Sequence, residues 1–81
     1  MRESWKDMLD KLAKDDKIIA CTMTEAEMSA RFWSGFGDSE GIPFTAWSKE
    51  WVYFPATYDG AEWVERVPRD PCDIKTEHIG G

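Results

Sequence analysis

Apolar and polar positions in this chain are organised around residues 45–67, the one long stretch rich in aromatic and β-branched side chains. It contains Asp59-Gly60, a dipeptide suited to the two positive-φ positions of a type I′ hairpin turn. With that turn Tyr58 faces Ala61, Ala56 faces Trp63, Phe54 faces Glu65 and Val52 faces Val67, and residues directly opposite share a face. One face then reads Val52, Phe54, Ala56, Tyr58, Ala61, Trp63 and Val67, with Glu65 as its sole charge. This predicts a core-facing surface, with Glu65 either leaning past the rim or turned away by a bulge. A second tight turn at Lys49-Glu50 pairs Trp47 with Val52 and Thr45 with Phe54. Pairing should stop where Phe44 meets Pro55, which lacks a donor, and Pro43 breaks the incoming strand at the same place. The expectation is a three-stranded antiparallel β-meander over about 44–67, with strands near 44–48, 51–58 and 61–67.

Before the meander the period changes. Trp5, Met8, Leu9 and Leu12 follow one another at helical spacing behind Ser4, a good N-cap, with Asp7 in the first turn where an acid suits the helix dipole. The first helix should occupy about 5–14. Thr24 and Glu27 have the spacing of a capping box, and Met23 is placed to staple onto Met28. The second helix should therefore run over about 25–33 and end at Gly35. Between the helices, residues 17–22 are either a linker or a brief edge strand. Gly35, Gly37 and Gly41 lack the spacing of a nucleotide fingerprint, and Asp38 and Glu40 would repel phosphate, so that stretch reads as a connector. The fold class is α+β, with one domain over residues 1–69 and a loosely held tail over 70–81.

Composition adds the means of stability. At 81 residues only about 60–65 % of the unfolded surface can be buried. Five Trp, four Phe and two Tyr compensate, because each aromatic buries roughly 150–250 Å². No apolar run near the start suggests a signal peptide and none approaches a membrane span, so the cytoplasm of a host cell is expected, with Cys21 and Cys72 as free thiols.

Charge is unevenly placed. The net charge of −6 is carried by residues 18–65, where Arg31 and Lys49 stand against Glu25, Glu27, Asp38, Glu40, Glu50, Asp59, Glu62 and Glu65. Solubility alone accounts for many acidic domains. No catalytic constellation is present: His78 is the only histidine, and Cys72, Asp73, Glu77 and His78 lack metal-ligand spacing. No enzyme activity, cofactor or metal is expected.

The other face of the meander reads Trp51, Tyr53, Pro55, Thr57, Glu62, Val64 and Arg66. It is either a second core layer or an exposed aromatic patch of the kind favoured at interfaces. Direct nucleic-acid binding is disfavoured, since stacking sheets need a basic surround.

Trp51-Val52-Tyr53-Phe54, Tyr58-Asp59-Gly60, Glu62-Trp63-Val64 and Val67-Pro68-Arg69 together resemble small accessory proteins of bacterial phages and prophages, over about a third of the chain. That class includes compact acidic inhibitors of host defence, anti-CRISPR proteins among them, that occlude a nucleic-acid-handling partner. The resemblance implies a protein-binding inhibitor or regulator directed at a basic surface of a host protein. The candidate partner-binding residues are Trp51, Tyr53, Glu50, Glu62, Glu25 and Glu27. The alternative is a structural or assembly protein of a phage that oligomerises through the aromatic sheet face. No membrane contact is expected, and a homodimer is left open.

Overall fold

A computed structural model describes residues 2–33 and 40–80. In chain order the elements are β1 (Arg2–Ser4), α1 (Trp5–Ala13), β2 (Ala20–Cys21), α2 (Glu25–Ser29), β3 (Arg31–Trp33), β4 (Ala46–Trp47), β5 (Trp51–Tyr58) and β6 (Ala61–Pro68). The fold is α+β, as expected. The meander is larger than predicted, because β2 joins it as an edge strand in the order β2-β4-β5-β6. A separate antiparallel ladder joins β1 to β3.

Local signals produce the expected starts and turns. Asp7 donates its backbone N–H to Ser4 Oγ at 3.2 Å, which caps α1. Trp5, Met8, Leu9 and Ala13 bury one side of that helix. The capping box of α2 is complete, with Glu27 N–H on Thr24 Oγ1 and Thr24 N–H on Glu27 Oε1. Asp59 and Gly60 take φ values of 51° and 83°, as a type I′ turn requires. The β5–β6 register is the predicted one, with Val52 opposite Val67 and Ala56 opposite Trp63. Trp47 pairs with Val52 across the Lys49-Glu50 turn. There Ser48 N–H bonds to Trp51 O at 2.9 Å, and Trp51 N–H bonds to Ser48 Oγ at 3.0 Å.

Two expectations are corrected. α2 stops at Ser29 instead of running on to Trp33, and Ala30 is extended. Residues 31–33 become a strand because Phe32 is needed in the core, its ring 4.8 Å from that of Trp5. In β3 that residue is buried while Arg31 and Trp33 stay exposed. Helix propensity is a weak preference that such packing overrides. The expected end at Gly35 lies outside the described residues.

The second correction is the choice of sheet face. The core consists of Trp5, Met8, Leu9, Ala13, Met23, Phe32, Phe44, Ala46, Tyr53 and Val64. The sheet therefore turns its Tyr53–Val64 face inward, not the face of Val52, Phe54 and Trp63, although Trp63 still packs against the edge of that core. Those three are half-buried and Tyr58 is 58 % exposed; Ala56 is the buried member of that set. Both faces of the hairpin are rich in apolar residues, so alternation sets the register without selecting the side on which α1 packs.

The outer face is not bare. Residues Ile74 to Gly80 share a groove with Trp63 and Glu65, and a Cβ at Gly80 would come within 4.0 Å of Thr57 O. The tail thus folds back along the hairpin. Among the described residues, no helix is long and apolar enough to cross a membrane.

Candidate protein-binding surfaces

The structure separates the six candidate residues into three environments. Tyr53 is 0 % exposed and belongs to the second core layer. Its hydroxyl donates to the Asp16 carboxylate, and Arg66 Nη1 lies 3.4 Å from the same oxygen. A buried phenol needs such a partner. Burial, followed by the hydrogen bond to Asp16, raises the Tyr53 pKa above its ordinary value. Hydrogen bonds from Ser48 and then Tyr53 hold the Asp16 carboxyl below its ordinary value. Ser48 is itself wholly buried. These three side chains tie the α1–β2 connection to β5, so Tyr53 serves the fold and is not an exposed anchor.

Glu62 is likewise corrected from exposed to buried, at 6 %. Its carboxylate accepts backbone N–H groups from Glu40 at 2.9 Å and from Gly41 at 3.1 and 3.2 Å. The acid faces inward with Val64 because β6 places alternate residues there. Backbone donors of the connector compensate its burial, as a buried charge requires.

The remaining four stay accessible on two surfaces. Trp51 is half-buried and stacks beneath Arg66, whose guanidinium carbon sits 4.1 Å from the ring centre. Together with Glu50, Pro68, Pro71 and Ile74 it lines a groove of about 240 Å³. A neighbouring groove of about 490 Å³ lies between the tail and Trp51, Trp63, Glu65 and Arg66. Glu65 accepts from Trp63 Nε1–H at 2.8 Å, so this carboxylate is satisfied on the outer face without a bulge. The root of the tail is fastened by Arg69, whose N–H reaches Glu50 O at 2.8 Å and whose Nη1 reaches Ser48 O at 3.1 Å.

Glu25 and Glu27 are exposed on α2, away from the Trp51 grooves. Glu25 shares a third groove with Ile18, Ile19, Met23 and Met28. Sequence reasoning did not single out Asp16, Ser48 or Ile19. The need of Tyr53 for a buried partner is the one signal that bears on the first two, and it does not say which residue answers. Cys72 and His78 are exposed, and both Cys21 and Cys72 are free thiols. Among the described residues no three His, Cys, Asp or Glu side chains are grouped so as to hold a metal ion.

Fold and surfaces together define a small α+β protein with an aromatic hairpin and an acidic exterior. No protein-family model, curated protein or solved structure matches the chain.

Proposed function

We propose that this protein is an acidic binding protein of the phage-inhibitor type, which covers a basic surface of a host protein that handles nucleic acid. The observation that carries the reading is the distribution of charge after folding. Glu25, Glu27, Glu40, Glu50 and Asp59 all remain exposed, against Arg31 and Lys49 as the cations of residues 18–65. Among the described residues, none of these five carboxylates enters an ion pair. Such a surface steers a basic partner and leaves anchoring to apolar contact. Trp51 and Trp63, both half-buried and both lining the groove beside the tail, supply aromatic area of the kind that dominates interface energetics. The resemblance to small phage accessory proteins points the same way.

The test is capture from nuclease-treated bacterial lysate on the immobilised protein. The expected result is one nucleic-acid-binding protein, released by salt and displaced by its own nucleic acid. Retention of nothing but further copies of the chain would reject the reading in favour of an assembly protein.

A further inference from the structure

Both grooves beside Trp51 are walled on one side by the hairpin and on the other by the tail. In the larger, of about 490 Å³, residues 74–80 face Trp51, Trp63 and Arg66. In the smaller, of about 240 Å³, Asp70, Cys72 and Ile74 lie beside Glu50, Trp51 and Pro68. Either groove therefore exists only while the tail is docked, and a ligand reaching Trp51 through either one meets the tail. The tail's own hold is slight. Among the described residues the last fastening is Arg69, through Glu50 O and Ser48 O. Beyond it every residue from 70 to 80 is exposed, and no ion pair joins this segment to the hairpin. The smaller groove sets Asp70 beside Glu50 with no cation in its lining. Partial burial of Ile74 and Ile79 has to offset the entropy of ordering the whole segment. Docked and released states of such a segment lie close in free energy.

We propose that residues 70–80 form a releasable strap: docked, they cover Trp51 and Trp63; released, they open that aromatic surface to the partner. Because Arg69 stays fastened, the released strap remains tethered beside the surface and competes there at high effective concentration. The partner's apparent affinity is then its intrinsic affinity reduced by the fraction of chains that are open. A basic partner gains from the exchange, since it meets Glu50 where the strap sets Asp70. The inference rests on the proposed function for the assignment of this surface to a partner, and the covering itself does not depend on it.

The test uses the full chain with Cys21→Ser and bimane attached to the exposed Cys72. Cys72 shares the smaller groove with Trp51, and an indole quenches bimane on contact. Emission should be quenched, and should recover in Trp51→Phe and in the double variant Ile74→Ser/Ile79→Ser, which loosens the strap without altering charge. The double variant should bind anilinonaphthalene sulfonate several-fold more strongly than its parent, a gain that a further Trp51→Ala removes, with the melting temperature nearly in place. It should also hold the captured partner several-fold more tightly, and that partner should relieve the quenching on the parent chain. Unquenched emission in the parent would overturn the proposal, as would equal dye binding by parent and double variant. A partner that binds while bimane stays quenched, or that holds the double variant no more tightly, rejects the strap and leaves the proposed function standing. Quenching and dye binding as expected, with no partner captured, do the reverse.

Discussion

The Glu62 carboxylate grips the backbone N–H of Gly41, with Oε2 at 3.1 Å and Oε1 at 3.2 Å, and so seats the connector that precedes β4. Removing that acceptor leaves the N–H groups of Glu40 and Gly41 without it. Glu62→Ala should cost about 1.5–3 kcal/mol, the range for hydrogen bonds to a charged group. Glu62→Gln should cost less, since its amide oxygen still accepts. Urea denaturation measures both, and a loss near zero for Glu62→Ala would mean that water replaces the carboxylate freely.

Gly41 itself has no room for a side chain. A Cβ there would run into the Trp5 indole and come within 2.9 Å of Glu62 Oε1. Trp5 cannot yield easily: it is 1 % exposed and its Nε1–H is held by Ile42 O at 3.1 Å. Gly41→Ala should therefore destabilise by about 1–3 kcal/mol, as overpacking does. Thermal melting of the variant checks this.

Asp16 and Tyr53 each make the stability depend on pH. The folded pKa of Asp16 lies below its ordinary 3.8, so its contribution is present above that value and lost as pH falls through the folded pKa. The folded pKa of Tyr53 lies above its ordinary 10.0, so its contribution is full below that value and lost as pH rises through the folded pKa. Asp16→Asn should flatten the acid limb of a stability-against-pH curve, and Tyr53→Phe the alkaline limb. Unchanged limbs would show that other groups govern both.

The tail is held by packing. Among the described residues, 70–80 make no hydrogen bond, and Ile74 and Ile79 remain 56 % and 40 % exposed. A chain ending at Arg69 should stay folded and lose at most about 2–3 kcal/mol, given the partial burial of two isoleucines. Its tryptophan emission should move to the red as Trp51 and Trp63 lose their cover. Emission identical to that of the full chain would place the tail elsewhere.

Charge reversal tests the proposed function apart from stability. Glu25→Lys and Glu50→Lys lie at exposed positions and should leave melting nearly unchanged. They should slow association with the captured partner at low salt. The difference should shrink toward 1 M, where the Debye length is about 3 Å. Trp51→Ala should instead speed dissociation. Association rates indifferent to salt and to both reversals would assign the acidity to solubility alone.

Short-range chemistry was legible in the sequence. Ser4, the Thr24–Glu27 box and Asp59-Gly60 act on backbone groups within a few residues, so their effects can be read without knowing what packs where. They determine both helix starts, the hairpin turn and the whole β5–β6 register. Of the candidate site, the accessibility of Glu25, Glu27 and Glu50 was legible too, because a charged side chain with no partner to compensate its burial stays in water. Packing decided the rest. A hairpin apolar on both sides does not say which side meets α1, and that contact buried Tyr53 and Val64 while leaving Val52, Phe54 and Trp63 half-buried. Phe32 left the helical path because Trp5, 27 positions earlier in the chain, offered its ring a place in the core. Glu62 became a buried acceptor because the connector brought Glu40 and Gly41 to it from 22 and 21 residues away. Contacts between residues so far apart depend on the completed fold, and no local pattern encodes them.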